Sequence, residues 1–448
     1  MENKKLTLTE ALSCARETRV LEIGTHILPK TPEVFARQFP GATPVIIADT
    51  NTFRVAGRKV TEAFERAGLK TLPPFIYEDP AVYAEYKYVE QLEASLKKHN
   101  AIPVAVGSGS INDLAKLAAH KVSRPYMCVA TAASMDGYTA FGASITYKGS
   151  KQTFNCPAPV AVVADLEVIG HAPEAMTASG YADLLAKITA GADWLLADAF
   201  GAEPIDQQAW NIVQGGLRDS LSEPQAIRAG APPAVAGLTE GLMLGGFAMQ
   251  WAKSSRPASG AEHQFSHLWD MQHHIHDGKA PSHGFKVGIG TLAVSALYEQ
   301  LLTQPIEQLS VKECCAQWPE WSAIEKQILE IFAGSGFEEK TIEESKAKYV
   351  TREDLAKQLE QFKIIWPDLK KKLAQQLIPF DELQSMLKTI GAPYEPEQIG
   401  ITRERLKKSY IEAFYIRRRF TILDLAFRTS LMEVSLKKIF GPKGRWPL

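Results

Sequence analysis

Two hydrophobic rhythms divide this chain. Up to about residue 170, short β-branched runs alternate with stretches of helical period, the pattern of a parallel sheet covered by helices. Strands are expected at Arg19 to Ile23, at Pro44 to Ala48 ending in Asp49, at Ile102 to Val106, at Tyr126 to Ala130 and within PVAVVADLEVIG, residues 159–170. Helices are expected over 56–68, closed by Gly68, over 81–98, and after the loop GSGSIND, while TLPPFIY joins the first two as a short segment. Beyond Pro173 the apolar positions recur almost only with helical spacing, over 179–198, 207–219, 233–253, 259–276 and 284–303, and then in a string from 318 to 439. The expected architecture is therefore an α/β domain over 1–171 followed by an all-α carboxy-terminal portion over 172–448, without internal repeats.

Composition narrows the class without changing that picture. A 448-residue chain with 45% hydrophobic and 23% charged residues is an ordinary globular protein of two or three domains. Its 50 basic and 51 acidic side chains nearly cancel, so no general attraction to nucleic acid or to an anionic membrane is expected. The basic runs Lys370 to Lys372 and Arg417 to Arg419 are expected to be solvated helix faces. Five scattered cysteines without CxxC spacing argue for a reducing compartment, and no stretch reaches eighteen uninterrupted apolar residues. A cytoplasmic protein without membrane insertion is the expectation.

Candidate chemistry concentrates between Pro257 and Gly290, which hold six of the ten histidines. His263 and His267 stand four apart, so on a helix both rings leave one face, and a returning chain could bring His283 beside them. Imidazoles gathered in this way suit a divalent metal, and Asp183, within the apolar YADLLAKITAGADW, offers a hard anionic ligand. The competing reading is a polar helix face and loop that His273, His274 and His276 merely decorate.

A second informative turn is Gly107-Ser-Gly109-Ser110-Ile111-Asn112-Asp113, where an apolar strand enters a helix. There the backbone can approach a pyrophosphate at the positive end of the helix dipole, although Asn112 stands where a third glycine would complete the dinucleotide fingerprint. The same glycines could instead serve a tight turn through φ > 0. Asp49, closing an earlier strand, could accept the hydroxyls of an adenosine ribose, which would favour NAD over NADP, or could simply cap a helix. The small and hydroxylated residues of TAASMDG, with Asp136 the one charge among them, suit a ligand lying close to the backbone.

GSGSINDLAK, TAASMDG, GYADLLAK, SGAEHQFSH and SHGFKVGIG, in that order, resemble the sn-glycerol-1-phosphate dehydrogenases over about residues 15–300. These belong to the superfamily of metal-dependent polyol dehydrogenases, iron-type alcohol dehydrogenases and dehydroquinate synthase. The resemblance implies a dehydroquinate synthase-like fold and a dinucleotide bound by Gly107, by Gly109 to Asp113 and by Thr131 to Ser134. It also implies metal ligands at Asp183, His263 and His283, substrate contacts at Asp136, Asp183 and His267, and catalytic roles for Asp183 and His267. The reaction implied is reduction of dihydroxyacetone phosphate to sn-glycerol 1-phosphate, a step of phospholipid metabolism, with NAD or NADP and one divalent metal, Zn or Ni. The partner is a small phosphorylated molecule and a homo-oligomer, a dimer, is expected. The stretch between His267 and His283 is longer than in archaeal members, which makes His276 a rival ligand, and the chain from about Val311 lies outside the resemblance. Two alternatives stand beside this reading: glycerol dehydrogenase or another metal-dependent member of the superfamily, and a non-catalytic metal- or nucleotide-binding protein.

Overall fold

Strands buried on both faces read as unbroken apolar runs, and Pro44 to Ala48 and Ala161 to Asp165 are buried at every position. In the computed structural model, which describes residues 4–148 and 150–448, they form the middle of a parallel sheet. In chain order the strands are β1 (Val20–Gly24), β2 (Pro44–Asp49), β3 (Leu72–Tyr77), β4 (Ile102–Gly107), β5 (Met127–Ala130), β6 (Ala143–Tyr147), β7 (Ser150–Phe154) and β8 (Ala161–Asp165). Six of them pair in the order β1-β8-β5-β4-β2-β3, every neighbour parallel, while β6 and β7 pair antiparallel as a separate hairpin.

Two compact units result. The first comprises Met1–Leu184, Gln207–Ala258 and Thr389–Gly391. Its core lies on the sheet, where Ile46, Val104, Val106, Met127, Val129 and Val163 meet Phe35, Val60 and Phe64 of the covering helices. The second comprises Leu185–Asp206, Ser259–Lys388 and Ala392–Leu448 and is helical throughout its described elements. The α/β and all-helical parts expected from the sequence are both present. No helix among the described residues is long and apolar enough to cross a membrane.

Where expectation and structure part, the cause is local. TLPPFIY is a strand, β3, tolerated because an edge position leaves Pro73 and Pro74 without a ladder bond to donate. The helix expected over 81–98 begins only at Tyr86, because Asp79 organises the preceding turn by accepting from Ala81 N (2.9 Å) and from the Tyr88 hydroxyl. The hairpin β6–β7 was not expected, although Ala143 and Ile145 alternate inward and Lys148 takes a left-handed φ of 50° at its turn. The stretch 179–198 is two helices, Glu174–Leu185 and Lys187–Ala199, with Ala186 between them. Arg417 to Arg419 do not form a solvated helix face. They follow the helix Arg403–Tyr415, where Arg418 pairs with Glu343 and Glu344 at 2.8 Å and Arg419 donates to Ser259 O at 2.7 Å.

The carboxy-terminal portion, expected from the sequence only as a string of helices, buttresses the histidine-bearing helices Ala261–Met271 and His283–Leu302. Trp269 donates its indole N–H to Ser409 Oγ at 3.0 Å, and the Tyr410 hydroxyl donates to Ala293 O at 2.7 Å while its ring packs edge-on against Phe265. Buried indole and phenol groups need such partners, and finding them on one helix, Arg403–Tyr415, fixes it against both histidine-bearing helices.

Candidate metal centre and cofactor edge

The helix Ala261–Met271 starts on a buried carboxylate rather than on a capping side chain of its own. Asp193, fully buried, accepts from Ala261 N (2.7 Å) through one oxygen, and from the Tyr298 hydroxyl (2.7 Å) and Ile422 N (2.8 Å) through the other. A single anion thus ties the first turn of one histidine-bearing helix to the body of the next. Glycine is required just before it: a Cβ on residue 260 would lie 2.7 Å from Asp193 Oδ2 and 2.9 Å from Ala190 Cα. At Gly290 a Cβ would fall 2.4 Å from Glu262 O, so the two helices meet there backbone to backbone. The buried ion pair of Lys286 with Asp270 adds a polar link between them.

On this frame the i,i+4 spacing acts as the sequence suggests. The rings of His263 and His267 are 6.2 Å apart between centroids, and His283, the first residue of its helix, places its ring 5.3 Å from the former and 6.3 Å from the latter. Asp183, His263 and His283 each offer one ligand atom, and the three atoms lie within 4.8 Å of one another. His267 is not in that set, and its ring stands beside it.

The donor chemistry fits a divalent cation. One carboxylate and two imidazoles are the usual protein share of a catalytic zinc-type site, leaving positions open. The outer nitrogens are also occupied as such a site needs: His263 Nδ1 lies 2.8 Å from Glu262 Oε1, and His283 Nδ1 lies 3.5 Å from Ser266 Oγ. A hydrogen bond to the carboxylate makes Nδ1 of His263 the protonated nitrogen and leaves the Nε2 lone pair for the ion. Burial pushes the Glu262 carboxyl up, but the hydrogen bond and charge of His263, with the Gly260 N–H, outweigh it and hold the group below the usual carboxylate range.

Asp183 is fully buried on the helix Glu174–Leu185, and its Oδ2 accepts from Asp136 N at 3.1 Å. One turn earlier, Gly180 lets the TAAS segment rest on the same helix, since a Cβ there would lie 2.0 Å from Ala133 O. Asp136 itself faces Gly245, whose missing Cβ would sit 3.6 Å from its Oδ2. The loop beyond is held by Lys116, 1% exposed, whose ammonium donates to the carbonyls of Gly137, Ala140 and Gly142 at 2.9, 2.9 and 3.0 Å.

The candidate cofactor residues line the carboxyl edge of three adjacent strands: Asp49 at the end of β2, Gly107 at the end of β4 and Thr131 just beyond β5. Glycine is needed here for space rather than for positive φ. A Cβ on Gly107 would lie 2.4 Å from Ile111 Cβ, and one on Gly109 would lie 2.7 Å from Met135 Cε. Ser108 precedes the helix Gly109–Lys121 without a side-chain cap, so Gly109, Ser110 and Ile111 form an open first turn. Thr131 N donates to Gly107 O at 3.1 Å, and Ser134 Oγ lies 3.4 Å from the Tyr138 hydroxyl.

Some candidate side chains are engaged by the protein itself. Asn112 accepts from the Tyr126 hydroxyl at 3.0 Å, and Asp113 accepts from Ser144 N at 3.2 Å, its carboxyl pushed up by burial. Asp49 caps the turn Thr50–Thr52 through Oδ1, which accepts from Thr52 N at 2.8 Å. His273 is exposed at φ 51°, and His274 is buried between Ile399 O and Arg405. His276 lies against Gly400, in the loop between the two histidine-bearing helices, outside the ligand set.

Sequence reasoning passed over Glu262, Asp193 and Lys116. Their signal was available: a lone charge inside an apolar helical run, as in SGAEHQF, TAGADWLLA and DLAKLAA, demands a buried partner.

Comparison with known proteins follows the same lines. A family model described as iron-containing alcohol dehydrogenase matches residues 22–173. The glycerol-1-phosphate dehydrogenase [NAD(P)+] of Halalkalibacterium halodurans is 34% identical over 290 residues, 64% of this chain and 72% of that one. Its namesake from Pyrococcus abyssi is 33% identical over 282 residues, 62% and 78% of the two chains. That of Geobacillus thermodenitrificans is 28% identical over 392 residues, 87% of each, and so reaches well into the carboxy-terminal helices. Among solved structures, a glycerol dehydrogenase from Schizosaccharomyces pombe shares the fold with a TM-score of 0.59 at 17% identity, covering 94% of this chain and 90% of its own. A NADH-dependent butanol dehydrogenase from Thermotoga maritima does so at 0.59 and 15%, covering 93% and 97%.

Proposed function

Because this chain belongs to the glycerol-1-phosphate dehydrogenase family, we propose that it reduces dihydroxyacetone phosphate reversibly to sn-glycerol 1-phosphate with NADH or NADPH. The observation that carries this reading is the convergence of Asp183, His263 and His283, with His267 beside them. Residues 1–171 are assigned to the dinucleotide and 172–448 to metal and substrate.

A divalent ion held by Asp183, His263 and His283 supplies Lewis-acid polarisation of the ketone, which is a poor electrophile without it. The dinucleotide, held at Gly107 to Asp113 and Thr131 to Ser134, supplies the hydride. The chain's own residues do the rest. Asp136, its backbone N–H fixed on Asp183, orients the substrate hydroxyl, and His267 hands a proton to the product oxygen. The Glu262 and Ser266 partners keep the ligand imidazoles from turning. Asp49 leaves one carboxylate oxygen beyond its capping bond for a ribose hydroxyl, which supports a preference for NADH.

Zn or Ni as the metal, a dimeric assembly and a cytoplasmic location belong to the same proposal. The oxygen-and-imidazole donor set accepts either ion. Symmetric homodimers are the commonest assembly of soluble oligomers, which supports the dimer, and five free cysteines support a reducing compartment.

The test is spectrophotometric NAD(P)H oxidation with dihydroxyacetone phosphate, with chelator and with added Zn²⁺ or Ni²⁺. Turnover is expected to be lost to chelator and restored by one of the ions. The product should resist oxidation by a dehydrogenase specific for glycerol 3-phosphate, and its ready oxidation there would refute the assigned hand. Free dihydroxyacetone should be far slower, since a charge-assisted phosphate anchor is worth about 2 kcal/mol or more. Equal rates would move the assignment to a glycerol dehydrogenase.

A further inference from the structure

We propose that the buried carboxylate of Glu262 is a positioning residue for metal binding, orienting the His263 ring so that its Nε2 is presented to the ion. This rests on the reading of Asp183, His263 and His283 as the ligands.

Glu262 is fully buried and is surrounded by donors. Its Oε1 accepts from Gly260 N at 2.5 Å and lies 2.8 Å from His263 Nδ1, while its Oε2 accepts from the Thr189 hydroxyl at 2.9 Å. Thr189 has a second acceptor, Ala186 O at 3.0 Å, but only one proton, and the charge-assisted bond to a carboxylate is the stronger claim on it. The acid is therefore held from two helices, at the start of its own through Gly260 N and His263 and from Lys187–Ala199 through Thr189, while Gly290 of the helix His283–Leu302 packs against the backbone of the same residue.

Such placement is costly unless something returns the energy. A buried carboxylate needs a cationic or strongly polarised partner, and the donor with most charge to offer is the His263 imidazole once its other nitrogen is bound to a cation. Ligand and outer carboxylate thus reinforce each other: the anion makes Nε2 a better donor, and the ion makes Nδ1–H a better partner for the anion. Removing the charge while keeping the shape should loosen the metal without loosening the fold.

The experiment uses the full chain stripped of metal and titrated with Co²⁺ against a chromophoric chelator, comparing Glu262→Gln, Thr189→Val and His263→Ala. It reads the dissociation constant, the visible bands of bound Co²⁺ and the unfolding temperature of the metal-free forms. Glu262→Gln is expected to weaken Co²⁺ about 10- to 100-fold, as other outer-sphere losses do, with metal-free unfolding close to that of the unsubstituted chain. Thr189→Val should weaken binding in the same direction but less, and His263→Ala should abolish it. Glu262→Gln binding as tightly as the unsubstituted chain while His263→Ala binds nothing would overturn the proposal, as would a lowered unfolding temperature with unchanged affinity. Unimpaired binding by His263→Ala would instead refute the ligand assignment, and the positioning role would fall with it.

Discussion

Six histidines lie within thirty-four residues, yet the structure treats them as two populations. His263, His267 and His283 stand on two helices locked together by Gly290, the Asp193 carboxylate and the Lys286–Asp270 pair, and their rings converge. His273, His274 and His276 occupy the loop between those helices and diverge, one to solvent, one into a neutral hydrogen-bonded slot and one against Gly400. Density of one residue type therefore does not foretell which rings converge, whereas helical periodicity on a rigid frame does. Two imidazoles four apart can converge only if the helix beneath them is fixed, and the carboxy-terminal helices do that fixing.

The sharpest way to break this comparison is to delete one ring from each population. His263→Ala and His283→Ala should leave the purified protein without bound metal and lower turnover about a thousandfold or more, the equivalent of several kcal/mol of lost charge stabilisation. His276→Ala should keep both metal and turnover. Elemental analysis with the kinetic assay decides it, and a metal-free His276→Ala would show that the loop histidine is a ligand after all.

Next in size is the division within the convergent set. His267→Ala should retain metal while kcat falls about 10²- to 10⁴-fold, the usual range for losing a proton-transfer group. Loss of metal from this variant would make His267 a fourth ligand.

The frame itself can be compared with the loop through glycine. Gly290→Ala puts a Cβ 2.4 Å from Glu262 O and should cost about 1–3 kcal/mol of stability with a loss of metal affinity, because the two helices must separate. Gly278→Ala, in the loop, meets no atom within 4 Å and suffers only from its φ of 77°, about 1 kcal/mol, with metal affinity unchanged. Thermal unfolding alongside metal titration separates the two, and a Gly290→Ala protein with intact affinity would mean that the helix contact does not govern the site.

What could be read in the sequence follows the same division. Interior strands announced themselves because burial on both faces leaves an unbroken apolar run, and the i,i+4 histidines announced themselves because helical period converts spacing into direction. The edge strand β3 was hidden by Pro73 and Pro74, which a central strand could not tolerate, and the hairpin β6–β7 by its brevity, with five residues in each strand. The break at Ala186 carries no glycine or proline, so packing and not local preference places it. At the cofactor edge the glycines were visible but their reason was not: they make room for Ile111 and Met135 rather than supplying positive φ. Asn112 and Asp113 look alike in sequence as ligand-loop residues, and only the fold shows their side chains turned to Tyr126 and Ser144.

The smallest expected effect concerns the loop histidine that is buried outside the candidate ligand set. His274 must be neutral in the fold: Arg405 can only donate, so Nδ1 accepts at 2.8 Å, and Nε2–H donates to Ile399 O at 2.6 Å. Burial, joined by the charges of Arg405, Lys286 and His276, lowers its pKa, outweighing the Ile399 bond that favours the charged ring. In the unfolded chain the same imidazole titrates near about 6.5. As pH falls below that value the unfolded state takes up a proton that the native state resists, so stability is lost from there down through the depressed native pKa and is unaffected above it. His274→Gln can keep both hydrogen bonds, its amide donating to Ile399 O and accepting from Arg405, while removing the titration. The unsubstituted chain should therefore lose more unfolding temperature between pH 7.5 and pH 5.5 than His274→Gln does. Equal losses in the two would show that the slot does not hold His274 neutral.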